Sequence, residues 1–400
     1  MSRPSQAVIL AGGRGTRLRP LTDTRPKPMI EFHGRPFLEY LIEMLRDQDF
    51  ERVLVLLGYR PEPIVDHFRD GAAWDIRIEY STTDEARLTG YRLRIAEPQL
   101  DERFLLMYCD NYWPMRMDSM WEEYVRARVP AQVTVYTNGD GYSRDNVAVG
   151  EDGEVRTYDR RRTAPGLRGV EIGYAIVTRD LLDLLPTEET QFEHAIYPML
   201  AGRGQLHAYR TDHRYYSIST HDRLPSTDAF LGRQPAIILD RDGVLNVRPG
   251  PGRYVRSPDE FRWVAGSLEA LRLLREAGYR VIVVSNQAGI GRGEMTAADL
   301  SKVHRRMLAD AEEAGGRIHA IYHCPHGWAD GCGCRKPKPG MLFQAQRDHH
   351  LDLTRTLFIG DDERDALAAS AAGCPWRLVS EERSLLDLTR EVLLEMASLS

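Results

Sequence analysis

Ala236-Ile237-Ile238-Leu239-Asp240-Arg241-Asp242-Gly243-Val244-Leu245-Asn246 is the stretch on which the fold turns. Its four apolar residues read as a buried strand, the first of an α/β domain in which ligands gather at the carboxyl ends of parallel strands. That end carries two acids, and Gly243 lets the chain turn sharply after them. The same opening occurs once before, where Ala7-Val8-Ile9-Leu10 runs into Ala11-Gly12-Gly13-Arg14-Gly15-Thr16-Arg17. The chain starts a fold twice, with acids at one start and glycines and cations at the other.

Working outward, Val53–Leu57, Phe104–Tyr108 and Gln132–Tyr136 read as strands and Phe37–Arg46 as an amphipathic helix, the rhythm of a mostly parallel sheet. The rhythm returns with helices over Leu268–Ala277 and Ala297–Ala314 and strands over Val281–Val284 and Thr356–Gly360. Between the two lies Pro225-Ser226-Thr227-Asp228 and then Gly232-Arg233-Gln234-Pro235, a turn-rich run. The expected fold is α/β in two doubly wound domains, residues 1–224 and 235–400, with 225–234 as linker. A chain of 400 residues exceeds what one core usually serves, in keeping with that division.

The apolar fraction of 42% and net charge of −6 describe an ordinary globular chain without the basic excess that nucleic acid would require. No apolar run approaches the roughly 18 residues that span a bilayer, so a cytoplasmic location with no membrane partner is expected. A homo-oligomer is compatible with the sequence.

The acid pair offers two chemical roles. Asp240 or Asp242 can attack phosphorus as a carboxylate nucleophile, while the other protonates a leaving oxygen and then activates water. A solvated acidic turn is the plain alternative. Ser285 and Asn286 end the next strand with a hydroxyl and an amide suited to phosphoryl oxygens. Lys336, in Arg335-Lys336-Pro337-Lys338-Pro339-Gly340, supplies the fixed cation that phosphoryl transfer demands. The acids of Gly360-Asp361-Asp362 could complete an octahedral Mg²⁺ site with Asp240 and the main-chain carbonyl of Asp242.

Of five cysteines, Cys324, Cys332 and Cys334 lie close to His326. Three thiolates and one imidazole at this spacing make a closed, structural tetrahedral Zn²⁺ site, with His323 as a competing ligand. The metal would pin a loop beside Arg335 and Lys336. Cys109 and Cys374 read as packing residues.

Acid pair, hydroxyl, lysine and acid, in that order, resemble the haloacid dehalogenase superfamily of phosphatases over residues 235–380. The likeness is to the branch containing D-glycero-D-manno-heptose 1,7-bisphosphate phosphatase and histidinol-phosphate phosphatase. It implies a parallel sheet with a zinc loop and no large cap, Asp240 as nucleophile, Asp242 as general acid and base, Ser285 and Lys336 as phosphate holders and Asp361 as magnesium ligand. Asn286-Gln287-Ala288-Gly289-Ile290-Gly291-Arg292-Gly293 and Arg253-Tyr254-Val255 resemble the heptose enzymes, implying that Arg292 binds substrate phosphate. The short gap between His326 and Cys332 looks more like the histidinol-phosphate enzymes. A guanidinium can hold a second phosphate directly, which favours the sugar bisphosphate.

In the first half, Leu10, Ala11, Gly12, Gly13, Arg14, Gly15, Thr16 and Arg17 form a glycine-rich loop whose N–H groups can close on phosphate, and Arg17 and Lys27 can offset triphosphate charge. Together with Arg25-Pro26-Lys27-Pro28-Met29 and Gly34-Arg35-Pro36-Phe37 it resembles the sugar-1-phosphate nucleotidylyltransferases, especially the branch making GDP-heptose or GDP-mannose. The resemblance implies a mixed Rossmann-type sheet, a nucleoside triphosphate substrate expected to be GTP, and Mg²⁺ on Asp110. Where the family carries a second metal-binding aspartate this chain has Ser217. Its Glu-Lys pair is replaced by Asp159-Arg160, its Asn-Ala-Gly by Glu171-Ile172-Gly173 and its Gly-Thr-Gly-Gly by Leu88-Thr89-Gly90-Tyr91. Two expectations follow for the whole chain. One is a bifunctional enzyme of nucleotide-sugar synthesis acting on small sugar phosphates; the other is a phosphatase joined to a nucleotide-binding domain that has lost catalysis.

Overall fold

The computed structural model describes residues 2–250 and 252–397; Met1, Pro251 and residues 398–400, which belong to the expected domains, lie outside the described residues. The chain divides into two compact units, Met1–Gly232 and Arg233–Ser400. Among the described residues no helix is long and apolar enough to cross a membrane.

The first unit is built on seven strands: β1 (Gln6–Leu10), β2 (Arg52–Leu57), β3 (Arg77–Thr82), β4 (Arg103–Tyr108), β5 (Ala131–Tyr136), β6 (Val170–Thr178) and β7 (Leu206–Thr211). Their order is β7-β5-β6-β4-β1-β2-β3. Only β6 runs against its neighbours β4 and β5, so the sheet is mixed. All five residues of β1 are buried, as a central strand covered on both faces requires. Helix α1 (Phe37–Arg46) covers one face through Phe37, Leu38, Leu41, Ile42 and Leu45, the three-and-four spacing of a single helical stripe.

The segment expected to be a turn-rich linker is largely helical. Helix α2 (Leu224–Leu231) takes Pro225 into its first turn, where a missing N–H is tolerated. Phe230 stacks on Tyr216 with ring centroids 3.9 Å apart, and Thr227 donates to the Ser217 carbonyl at 2.9 Å. Burial of Phe230 and Leu231 outweighs the turn-forming composition around them.

The second unit has five parallel strands, β8 (Ala236–Leu239), β9 (Arg280–Asn286), β10 (Ala320–Cys324), β11 (Leu357–Gly360) and β12 (Trp376–Leu378), in the order β10-β9-β8-β11-β12. Helices α3 (Ser267–Glu276), α4 (Ala297–Glu313), α5 (Gly340–His349), α6 (Glu363–Ala372) and α7 (Leu385–Ala397) accompany it. Apolar clusters occupy both faces of this sheet. The strand order reverses at β8, so the crevice at its carboxyl end is where an open sheet binds ligands.

Candidate functional site

Asp240 follows β8 directly and anchors its backbone to β11, its N–H donating to the Ile359 carbonyl at 2.9 Å. Gly243 has φ +91°, and a Cβ there would meet Asp361 Oδ2 at 1.8 Å. The turn after the acid pair therefore admits glycine alone, because Asp361 occupies the space. Lys336, only 3% exposed, donates to Asp240 Oδ1 at 2.8 Å, Asp365 Oδ1 at 2.7 Å and the Val284 carbonyl at 3.1 Å. One ammonium thus ties the ends of β8, β9 and α6 to a single point.

Asp240, Asp361 and Asp365 present carboxylate oxygens within 4.8 Å of one another. Octahedral Mg²⁺ with bonds of about 2.1 Å holds its oxygens roughly 3 to 4 Å apart, so the donor set fits that ion. Burial raises the Asp240 carboxyl, with Asp365 and Asp242 adding to the effect and Lys336 opposing it. Asp361 is pushed up to about 6 by burial, against the pull of Arg248. Carboxyls crowded this way become fully ionised when a cation shares them.

Asp242 is placed differently. Burial opposes its ionisation, yet the Arg241 guanidinium holds it below the usual range, contacting both oxygens at 2.9 Å. Asn246 Nδ2 at 2.9 Å and Gln287 Nε2 at 3.0 Å complete its environment. Behind Arg241 lies His304, whose pKa is pushed down to about 3 by burial and by that guanidinium, leaving it neutral. Ser285 Oγ accepts from Gln287 Nε2 at 2.8 Å. Asn286 exchanges two hydrogen bonds of 3.0 Å with the Lys336 main chain, so it positions the lysine as well as facing the cavity.

Asp240, Asp242, Ser285, Asn286, Lys336, Asp361 and Asp365 line a cavity of about 200 Å³ together with Arg248, Tyr254, Trp328 and Arg335. Arg335 retains a buried Nη1 with no hydrogen-bond partner among the described residues. Arg292, expected to bind substrate phosphate, is not in the cavity lining: its guanidinium lies 4.7 Å from the Trp328 ring and reaches the Tyr254 hydroxyl at 3.3 Å.

Asp365, Arg248 and Trp328 were not singled out from the sequence. Asp365 had a signal, since Asp362 and Asp365 have the spacing of a capping box at the start of α6, where the Asp362 N–H donates to Asp365 Oδ2 at 3.2 Å. Asp361 and Asp362 were not separable by sequence. Asp362 caps α6, accepting from the Arg364 N–H, and Asp361 is left to face Asp240.

Cys324 ends β10, and Cys332, Cys334 and His326 close around it. The thiol-to-thiol distances are 3.6 and 3.5 Å, and His326 Nδ1 lies 3.5 Å from Cys324 and 3.2 Å from Cys334. Zinc bonds of about 2.3 Å to sulfur and 2.0 Å to nitrogen place tetrahedral donors roughly 3.5 to 3.8 Å apart, so the four fit zinc. His323 faces His304 instead, with ring centroids 5.9 Å apart. Cys109 and Cys374 are buried and lie outside this cluster.

In the first unit a cavity of about 380 Å³ is lined by Leu10, Gly12, Gly13, Gly15, Thr16, Arg17, Lys27 and Asp110. Ala11 and Arg14 are not in its lining; Arg14 pairs with Glu85. Lys27 Nζ lies 2.6 Å from Asp110 Oδ2. Arg92 shapes the loop from behind. Its guanidinium bonds the carbonyls of Gly12 and Leu57, and a Cβ at Gly12 or Gly58 would lie 2.4 or 2.3 Å from it. Nothing in the glycine pattern revealed this buried arginine.

A second cavity, of about 710 Å³, shares Arg17, Tyr108, Asp110 and Ser219 with the first and adds Ser217, Glu171, Glu193, Arg160 and His194. Ser217 pairs in antiparallel register with Asn111, the neighbour of Asp110, but its Oγ accepts from the Ser219 N–H at 3.1 Å. Among the described residues Asp110 belongs to no group of three metal-ligating side chains. Glu171, pushed up to about 8 by burial, is an uncharged acid in this cavity near neutrality. Asp159 organises its own loop, accepting from the N–H groups of Arg161, Thr163 and Ala164.

Residues 6–140 match the nucleotidyl transferase family, and residues 333–391 match a HAD-hydrolase-like family. The chain is 44% identical over 141 residues to the D-glycero-beta-D-manno-heptose-1,7-bisphosphate 7-phosphatase of Bordetella bronchiseptica, covering 35% of this chain and 78% of that one. To the Pseudomonas aeruginosa protein of the same name it is 41% identical over 152 residues, or 38% of this chain and 84% of that one. A Bacillus anthracis structure provisionally described as a glucose-1-phosphate thymidylyltransferase aligns with a TM-score of 0.50 at 18% identity over 56% of this chain and 94% of that one, a likeness of fold. With a nucleotidyl transferase domain at its start and the acid-and-lysine crevice in its second unit, the chain belongs to the D-glycero-beta-D-manno-heptose-1,7-bisphosphate 7-phosphatase family.

Proposed function

We propose that the second unit removes the 7-phosphate of D-glycero-D-manno-heptose 1,7-bisphosphate, and that the first unit transfers a nucleotidyl group, guanylyl by expectation, to the resulting sugar 1-phosphate. The observation that carries the phosphatase reading is the convergence of Asp240, Asp361 and Asp365 on one another, with buried Lys336 paired to Asp240 and Asp365.

Asp240 attacks the phosphorus of the bound ester, and the leaving sugar oxygen takes a proton from Asp242. Water then attacks the aspartyl-phosphate, with Asp242 accepting the water's proton and Asp240 released as carboxylate. The grip of Arg241 keeps Asp242 ionised and so ready for this second half. An arriving phosphate dianion beside it favours the protonated state that the first half requires. Lys336 and the Ser285 hydroxyl hold equatorial oxygens, and Asp240, Asp361, Asp365 and the Asp242 carbonyl could hold Mg²⁺, which would offset phosphoryl charge.

In the first unit the loop N–H groups, Arg17 and Lys27 hold the triphosphate, and Asp110 could bind a magnesium ion once released from Lys27. The sugar would occupy the cavity carrying Glu171, whose neutral carboxyl can donate to a hydroxyl. Small sugar phosphates and nucleotide are the partners this reading requires.

The test supplies the heptose bisphosphate with GTP and Mg²⁺ and measures phosphate, pyrophosphate and nucleotide-heptose. Phosphate release without the other two products rejects the two-step version. Ser217 motivates a second reading, nucleotide binding without transfer, which predicts nucleotide affinity by calorimetry and no pyrophosphate with any sugar phosphate. Histidinol phosphate, suggested by the short zinc loop, is tested by comparing kcat/KM for the two phosphomonoesters.

A further inference from the structure

Trp328 is 66% exposed, an unusual position for an indole, and it sits on the segment between the zinc donors His326 and Cys332. Its ring lines the cavity that holds Asp240, Ser285 and Lys336, as does Tyr254. Arg292 joins the two rings, its guanidinium 4.7 Å from the Trp328 ring and 3.3 Å from the Tyr254 hydroxyl.

This arrangement is closely built. The Gly291 N–H donates to the Pro325 carbonyl at 2.8 Å, and a Cβ at Gly291 would lie 2.6 Å from the Gly327 nitrogen. A Cβ at Gly289 would lie 2.8 Å from the Tyr254 ring. Two glycines therefore let the loop carrying Arg292 pack between Tyr254 and the zinc segment, so the position of Trp328 is coupled to the four metal donors. A second observation indicates an oxygen-bearing ligand in the same cavity. Arg335 brings a buried, unpartnered Nη1 to the same cavity, and such a donor is costly unless a ligand oxygen meets it.

We propose that Trp328 is a specificity-determining residue: its indole covers the C–H face of the leaving sugar while the transferring phosphate rests on Lys336 and Ser285. Arg292 is the positioning residue that holds the ring in place. Sugar C–H groups carry partial positive charge and favour the negative face of an aromatic ring. A phosphate ester without a sugar skeleton offers nothing to cover. The inference rests on the phosphatase reading above and adds the element that selects a sugar.

The experiment compares kcat/KM for heptose 1,7-bisphosphate and for acetyl phosphate in the full-length wild type, Trp328→Ala and Trp328→Phe, with zinc content measured in each. Trp328→Ala is expected to lower the ratio of the two values roughly tenfold, chiefly through KM for the bisphosphate, and Trp328→Phe to recover most of it. An unchanged ratio in Trp328→Ala, with the wild type active on the bisphosphate and zinc retained, overturns this inference alone. A fall in ratio accompanied by zinc loss that Trp328→Phe does not repair also overturns it, since the residue then acts on the loop's folding. A wild type inactive on the bisphosphate overturns the substrate assignment and this inference with it.

Discussion

The two crevices handle charge in opposite ways. In the second unit three carboxylates come within 4.8 Å of one another and a buried lysine pairs with two of them, the groups arriving from strand ends, a helix start and a loop. In the first, Asp110 has Lys27 for company and Ser217 where the resembled family carries a second carboxylate; Glu171, Glu193 and Asp222 line the neighbouring cavity. A site that must bind a hard cation and a phosphoryl group without help needs its charges preorganised. A site whose substrate is a nucleoside triphosphate receives much of its anionic charge, and metal-binding oxygens, from the substrate itself.

Several experiments would break or sharpen this contrast. The largest effect is expected from Asp240→Asn, which should reduce phosphate release about ten-thousand-fold while leaving the unfolding midpoint near that of the wild type; steady-state assays and thermal melts check both. Asp365→Asn removes one of three converging carboxylates and one partner of Lys336. It should cost roughly a hundredfold in kcat/KM, with a higher magnesium requirement measured by titrating the ion. Cys334→Ser should release zinc and lower the melting midpoint of the second unit by roughly 10 °C, corresponding to about 3 kcal/mol, as read by calorimetry and metal analysis. Ser217→Asp would restore a carboxylate next to the backbone of Asp110. Magnesium affinity in the presence of a non-hydrolysable GTP analogue should rise several-fold, and no change would place Ser217 away from the ion.

The smallest effect concerns Glu171. Its folded pKa of about 8 lies above its ordinary value of 4.5, so the folded state keeps a proton that the unfolded chain has lost. Its contribution to stability is present below about pH 4.5 and is lost as pH rises toward 8. Glu171→Gln should flatten that decline in denaturant titrations across the window. An unchanged slope would mean that the carboxyl is ionised in the folded protein.

Much of both sites was legible because it is local. Asp240 and Asp242, Lys336, Asp361 and the Cys324/His326/Cys332/Cys334 set each lie at a strand end or in a loop that hydrophobic pattern alone locates. The linker was misread because composition counts turn formers but cannot see Phe230 stacking on Tyr216. Arg292 was assigned to substrate phosphate by resemblance, and its contacts with Trp328 and Tyr254 were not legible in the sequence. Arg92 went unseen because a buried guanidinium among carbonyls has no local signature.

The sequence by itself determined that two α/β folds begin in this chain, which chemical groups each strand end carries, and which four side chains can close on zinc. These follow from near-neighbour spacing, since strand period and turn chemistry act over a few residues. Only the tertiary structure decided that Asp365 joins Asp240 and Asp361, that Asp362 serves as a helix cap instead, and that Trp328 lines the same cavity. Those choices depend on the order and register in which distant parallel strands align, and on which side chain reaches a shared space first.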